Sequence, residues 1–316
     1  MDSYVREIGE RIKEMDIRGA TEIAQSASLG MKTEAEKSIA TTPQEFMAHM
    51  KEAALFLLNT RPTAVSLPNA IRYILSRLMS DYEKGIGIEA LRRNAIANSE
   101  RFISLSNAAI QTIGEIGARR IKEGDIIMTH CNSRCVISTL IEAHKGGKHF
   151  SVIACETRPR LQGHLTAKAL RDAGIDVTLI VDSAARYFLD DVKKVVIGAD
   201  SVAANGAVIN KIGTSTIAAL AHEARVRLMV AAETYKFHPG TMHGELVEIE
   251  ERDAAEIIPD MRGFEGIRIR NPAFDITPPE YIDLIVTELG VIPPQAAVLV
   301  LKEQYGWEFS GKEPWE

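Results

Sequence analysis

Cysteine is scarce in this chain. There are three in 316 residues, two of them four positions apart, which is no basis for a disulfide framework. A reducing, cytoplasmic setting is therefore expected. Positive charge is also short: 37 Lys and Arg against 43 Asp and Glu leave a net charge of −6. A general nucleic-acid or membrane-surface binder would need a basic face, so no nucleic acid and no membrane is expected as a partner. No apolar run approaches the ~20 residues of a membrane span. The opening MDSYVREIGERIKEM is charged and helical in pattern, unlike a secretory signal. No G-x-G-x-x-G follows a strand and no P-loop exists, so dinucleotide binding and NTP hydrolysis lack their signatures. His130, Cys131 and Cys135 lack a usual zinc spacing and no second cysteine pair exists, so neither metal nor cofactor is expected. Repeats and low-complexity segments are missing too.

Apolar residues make up 46% of the chain, enough for a normal packed core. The first ~120 residues read as helices. Apolar positions recur at helical spacing over 3–14, and another helix begins at about Thr21. TPQEFMAHMKEAALFLLNT has Thr42 as N-cap and Pro43 at the first helical position. Turns at Pro62 and Pro68 precede a further helix, and 88–122 forms a long amphipathic stretch.

The pattern changes near 123. DIIMTHC, FSVIACE, DVTLIVD, KVVIGAD, RLMVAAE and DLIVTEL alternate with helical segments such as LQGHLTAKALRDAG and TSTIAALAHEA. Short runs buried on both faces, spaced by helices, predict a mainly parallel sheet with helical crossovers. The expected organisation is α/β: a helical N-terminal domain over 1–122, then a Rossmann-like, mainly parallel sheet domain over 123–316.

Five of these runs end in polar groups: His130 with Cys131, Glu156, Asp182, Asp200, and Glu233 with Lys236 just beyond. Open parallel sheets bind ligands outside the carboxyl ends of their strands, so these ends mark a candidate site. For any single residue, a polar strand terminus is an equally good explanation. Cys155, inside SVIACE, reads as a core thiol. Cys131, beside Asn132 and Ser133, reads less well that way. A helix starting near Ser133 or Arg134 and the Arg134 charge would both favour a thiolate. Asp200 is followed by what reads as a small-residue loop; it is either a loop cap or a carboxyl that holds a proton and acts as an acid. Asn210 and Lys211 precede GTST, whose free helix-end N–H groups would make a phosphate seat. Arg18, Arg61 and Arg158 stand at turns fixed by glycine or proline, where guanidinium groups suit phosphate.

RGATEIA, TRPTAVSLPNA, THCNS, ETRPRLQGHLTA, GADSVAANGAVINKIGTSTIA and FDITPPEYIDLIVTELGVIPP follow one another in an order that resembles a single superfamily. It holds the alpha, beta and delta regulatory subunits of the eukaryotic guanine-nucleotide-exchange initiation factor, methylthioribose-1-phosphate isomerase and archaeal ribose-1,5-bisphosphate isomerase. The likeness spans about 18 to 295 and is greatest to the last of these. It implies an isomerase that converts ribose 1,5-bisphosphate to ribulose 1,5-bisphosphate in AMP salvage. Cys131 falls on the family's catalytic cysteine and Asp200 on its catalytic aspartate. Arg18, Gly19, Ala20, Thr21, Arg61, Ser133, Arg134, Cys135, Asn210, Lys211 and Lys236 fall on substrate-binding positions, although Thr21 and Cys135 depart from the residues expected there. The resemblance also implies AMP as an activator and assembly as a homodimer or a homohexamer built as a trimer of dimers. Two other members of the superfamily define the alternatives. A noncatalytic regulatory subunit need not keep the Cys131–Asp200 pair. Methylthioribose-1-phosphate isomerase needs an apolar seat where the HCNSRCV loop offers an arginine.

Overall fold

A computed structural model describes residues 1–305 and 313–315. The remainder of the 123–316 region, 306–312 and 316, lies outside the described residues. Contacts group the chain into two compact units, Met1–Ala109 with the C-terminal end from Tyr305, and Ile110–Gln304.

The first unit is helical. It contains α1 (Ser3–Lys13), α2 (Ala20–Lys37), α3 (Pro43–Thr60), α4 (Ser66–Glu83) and most of α5 (Ile88–Ala118), within which the division falls. The start of α3 is the one the sequence predicts. The Thr42 side chain accepts from the Glu45 N–H, the Glu45 carboxylate accepts from the Thr42 N–H, and Pro43 opens the helix. α4 differs from expectation, because it begins at Ser66 and carries Pro68 in its first turn. Proline is tolerated there, since the N–H it lacks would have no partner within the helix. α2 packs against α1, α3 and α4, burying Ile23, Met31, Phe46, Met50, Leu57, Leu67 and Ile71 in one core.

The second unit alternates strand and helix. It runs β1 (Ile126–His130), α6 (Arg134–Lys145), β2 (Ser151–Cys155), α7 (Gly163–Asp172), β3 (Asp176–Ile180), α8 (Ala185–Phe188) and β4 (Lys194–Ile197). It continues with β5 (Ser201–Val202), β6 (Val208–Lys211), α9 (Thr214–Glu223), β7 (Arg227–Ala231), β8 (Phe274–Thr277), β9 (Leu284–Thr287), β10 (Gly290–Ile292) and α10 (Ala297–Tyr305). Seven strands form one sheet in the order β10-β9-β7-β4-β1-β2-β3, parallel except for β10. All six apolar runs that predicted strands are strands of this sheet. β1, β2, β4 and β7 are buried almost throughout, as strands covered on both faces must be, whereas the edge strand β3 is largely exposed. Their core joins Ile127, Val152, Val196, Met229 and Val286 to Val136, Leu140 and Leu170 of α6 and α7.

The segment after Asp200 is not the loop expected. β5, β6 and β8 make a separate three-stranded antiparallel sheet. Asn205-Gly206 turns the β5–β6 hairpin, with Gly206 left-handed and the Asn205 side chain accepting from the Ala207 N–H. Small residues dominate this segment because the turn and close packing need them.

Candidate active site

The chain makes β1, β2 and β3 outward in one direction, then returns to lay β4, β7 and β9 on the other side of β1. The strand order therefore reverses between β1 and β4. At such a switch point the two following connections diverge and leave a crevice at the carboxyl edge. Cys131 directly follows β1, and Asp200 lies just beyond β4. A close approach joins the two strand ends: a Cβ on Gly198 would come within 2.5 Å of the Ser133 hydroxyl. Only glycine fits there.

Cys131 is held in an unusual way. Its backbone is left-handed, with φ of 68°. Its N–H donates to the Thr157 hydroxyl at 2.8 Å. The Thr166 hydroxyl donates towards the Cys131 carbonyl at 2.8 Å and the Asn132 side-chain oxygen at 3.0 Å. Burial pushes the Cys131 thiol up to about 11; the Asp200 carboxylate adds to this, and Lys211, the Asn132 N–H and Arg252 oppose it. The preformed thiolate expected from the helix end and Arg134 is therefore not found, because desolvation outweighs the nearby positive charge.

Asp200 donates its own N–H to the Ile209 carbonyl at 2.9 Å, which ties the end of β4 to the small sheet. Its carboxylate acts electrostatically on both Cys131 and Lys236. Lys236 is buried and pairs with Glu233 at 2.7 Å. Burial opposes its charge, but Glu233, Cys135 and Asp200 outweigh that and raise the ammonium above its ordinary value. Lys211, at the end of β6, donates to the Ala273 carbonyl at 3.0 Å and lies 4.4 Å from the centre of the Phe274 ring. Arg252 stands 5.6 Å from that same ring and pairs with Glu250 at 2.9 Å. Cys131, Asp200, Lys211, Lys236 and Arg252 thus form one electrostatic group.

Other expected residues take different parts. Ser133 is the N-cap of α6, accepting from the Val136 N–H, and Arg134 opens the helix. Cys135 is buried, and its thiol is held well above the ordinary value by burial first and then by Glu233. Asn210 is buried and donates to the Thr214 hydroxyl at 3.0 Å. The phosphate seat expected at the start of α9 is taken: Asp275 on β8 accepts from the Gly213 N–H at 2.8 Å and the Ser215 N–H at 3.0 Å. Burial raises the Asp275 carboxyl to about 6, against the pull of those two donors. Arg158 extends towards the carbonyls of Pro159 and Ile257.

Within the helical unit, Gly19 caps α2 with φ of 90°, and Ala20 and Thr21 form its first residues. The Ser66 hydroxyl donates to the Ala20 carbonyl at 2.7 Å, so the 18–21 turn and the start of α4 meet. Arg61 is buried at the end of α3, and Arg18 is exposed.

Two of the five polar strand ends serve the backbone or a buried pair. Asp182 accepts from the Thr157 N–H at 2.8 Å and the Arg158 N–H at 2.7 Å. Glu233 holds Lys236 and accepts from the Tyr235 hydroxyl. His130 is buried, its Nε2–H donates to the Ile212 carbonyl at 2.9 Å, and desolvation lowers its pKa. Donor atoms of His130, Cys155 and Asp182 lie within 4.8 Å of one another. This is the set of residues suited to a metal ion among those described. Its carboxylate is already spanned by two backbone donors, and its Cys155 thiol is pushed up to about 12 by burial and by Asp182.

The model of the initiation factor 2 subunit family matches residues 16–294. The chain belongs to that family. Among its members, the ribose 1,5-bisphosphate isomerase of Pyrococcus furiosus is 55% identical over 99% of this chain and 97% of its own length. The crystal structure described as translation initiation factor eIF-2B of Pyrococcus horikoshii superposes with a TM-score of 0.81 at 30% identity, covering 94% of this chain and all of that one. The 5-methylthioribose 1-phosphate isomerase of Pyrococcus horikoshii gives a TM-score of 0.77 at 32% identity, covering 96% of this chain and 88% of its own. The family resemblance drawn from the motifs and the α/β fold both stand. What motif reading missed in this family member is the support around the cysteine. Thr157 and Thr166 lie inside ETRPRLQGHLTA, but nothing in sequence separates them from ordinary threonines. Arg252 belongs to a stretch with little regular structure and carries no sequence signal.

Proposed function

We propose that this chain is an aldose–ketose isomerase that converts ribose 1,5-bisphosphate to ribulose 1,5-bisphosphate, with Asp200 as acid and Cys131 as base. The observation that carries the reading is the pair of groups flanking the β1–β4 switch point, with Lys211, Lys236 and Arg252 close enough to act on their charges. The 55% identity to a protein of that name, against 38% and 39% to two proteins named methylthioribose-1-phosphate isomerase, supports the bisphosphate as substrate.

The substrate is a furanose locked by phosphate on its anomeric carbon, so it cannot open as a free sugar does. Asp200 gives a proton to the ring oxygen as the bond from C1 to that oxygen breaks. Cys131 removes the C2 proton, forming the C1–C2 enol, and returns a proton to C1. The C2 hydroxyl proton passes to the Asp200 carboxylate, leaving the ketone and restoring both groups. Cys131 reacts as the thiolate, a form that Lys211 and Arg252 favour and that burial and the Asp200 carboxylate oppose. A hydride shift from C2 to C1 is the competing route, with Cys131 taking only the hydroxyl proton. Running the reaction in deuterium oxide separates the two: proton abstraction places deuterium at C1, and a hydride shift does not.

AMP as activator, a place in AMP salvage, a homodimer or trimer-of-dimers assembly and a cytoplasmic location belong to the same proposal. So do substrate contacts from Arg18, Gly19, Ala20, Thr21, Arg61, Ser133, Arg134, Cys135, Asn210, Lys211 and Lys236, with Arg18, Arg61, Arg134 and Lys211 as the cations for the two phosphates. The deciding assay supplies ribose 1,5-bisphosphate with and without AMP and measures ribulose 1,5-bisphosphate, with assembly mass measured in parallel. Turnover of methylthioribose 1-phosphate in its place sinks the reading in favour of that isomerase. Inactivity on both sugars, with binding of a sugar phosphate or nucleotide, favours a regulatory subunit.

A further inference from the structure

Left-handed backbone at a residue with a side chain is uncommon, and at a β-branched residue it is a conformational outlier. Two strand ends of this sheet carry such residues side by side: Cys131 after β1 with φ of 68°, and Thr157 beyond β2 with φ of 67°. Glycine would relieve both, yet neither position is glycine.

The hydrogen bonds explain how both persist. Asp182, beyond β3, accepts from the Thr157 and Arg158 N–H groups and fixes the Thr157 backbone. The Thr157 hydroxyl, fully buried, accepts from the Cys131 N–H and donates to the Cys155 carbonyl at 3.1 Å. On the other side of the cysteine, Thr166 at the start of α7 donates to its carbonyl. The peptide groups on both flanks of Cys131 are therefore held by hydroxyls from different elements. A chain of contacts runs from the end of β3, through that of β2, to the cysteine.

We infer that Thr157 and Thr166 are positioning residues that clamp Cys131 in its left-handed conformation and so hold its thiol against Asp200 and Lys211. This rests on the proposed role of Cys131. Each threonine acts through the cysteine backbone, with no contact to substrate required. Changing φ from positive to negative redirects the Cα–Cβ bond, so releasing either clamp moves the thiol without altering a reacting group. Misplacement of a reacting group by about 1 Å costs roughly 100-fold in rate.

The test uses Thr157→Val, Thr166→Val and the hydroxyl-retaining Thr157→Ser in the full chain, each checked for fold by circular dichroism. Two readouts are taken. One is kcat and KM on ribose 1,5-bisphosphate. The other is the rate of iodoacetamide modification of Cys131 against pH, followed by mass spectrometry of its peptide. Thiolate is the reactive form, so wild-type Cys131 should modify slowly at pH 8, with its rate rising about tenfold per pH unit towards 11. In both valine variants kcat should fall about 10- to 100-fold with KM little changed. The modification profile should shift to lower pH, because a released thiol loses its burial. Thr157→Ser should resemble wild type in both readouts. A fall in kcat with an unchanged Cys131 profile overturns the clamp, as does wild-type kcat in both valine variants. If one valine variant does not fold, the other and Thr157→Ser decide. If the wild-type chain does not turn over the bisphosphate, the functional reading fails, and the modification profiles alone decide whether the threonines set the thiol.

Discussion

Two left-handed residues of the α/β unit invite comparison, Arg225 at the end of α9 and Cys131 at the end of β1. At Arg225 the strain has an ordinary cause. Its N–H bonds the His222 carbonyl, the Val226 N–H bonds the Ala221 carbonyl, and the left-handed residue closes the helix in a Schellman arrangement. The hydrogen bonds gained there are the helix's own, and the arginine itself is exposed. At Cys131 no helix ends. The conformation is sustained by threonines from two other elements, around a thiol that burial keeps protonated. The same backbone outlier is thus a fold device in one place and a site device in the other. What distinguishes them is the origin of the bonds that hold them.

Substituting glycine at Cys131 breaks the comparison most severely. Cys131→Gly should relieve the positive φ and leave the melting temperature equal to or above wild type. Turnover should fall at least ~1,000-fold for loss of the base. Cys131→Ser and Asp200→Asn should lose turnover similarly with the fold intact. Retained activity in any of the three removes that residue from the mechanism.

The buried pair beside the crevice gives the next largest effect, this time on stability. Lys236→Met leaves the Glu233 carboxylate in the interior without its ammonium, and removing one partner of a buried ion pair costs about 3–5 kcal/mol. The double variant Glu233→Gln, Lys236→Met should recover most of that loss in denaturant unfolding. An equal loss in both would mean that packing, not charge, is what the pair supplies.

How much of this was legible in sequence follows the range of the interactions. The α3 start was readable because Thr42, Pro43 and Glu45 lie within four residues of one another. The six strands were readable from apolar runs alone. Cys131 and Asp200 stood out because each follows such a run, and parallel strands put their ends on one edge. The clamp was not readable: Thr157 reaches Cys131 across 26 positions and Thr166 across 35. Nor was the loss of the α9 phosphate seat, since Asp275 arrives from 60 residues away. The turn Asn205-Gly206 was present in the sequence and signals a hairpin, but the small residues around it read equally as a loop.

Asp275 supplies a pH test of the same contrast between local and distant support. Its folded carboxyl sits near 6 against an ordinary value of 3.8, so between these pH values the folded chain keeps a proton that the unfolded chain has lost. Its contribution to stability is fully present below about 4 and is lost as pH rises through about 6. Asp275→Asn should therefore flatten the stability profile between pH 4 and 6 and leave its slope above 7 unchanged. A profile that keeps its slope in the variant assigns the titration to another group.

The smallest effect belongs to Arg225. Glycine at this position keeps both Schellman bonds and removes the cost of a left-handed side chain, offset in part by the greater freedom glycine has in the unfolded chain. Arg225→Gly should raise stability by about 0.5–1 kcal/mol, read by thermal unfolding, with turnover unchanged. Set beside Cys131→Gly, it isolates the role of the side chain. The two substitutions relieve the same kind of strain, and only the one at the strand end should also remove the reaction. Equal losses of turnover from both would mean that left-handed backbone in this unit matters to activity through rigidity, and that the thiol is not what the strain at Cys131 preserves.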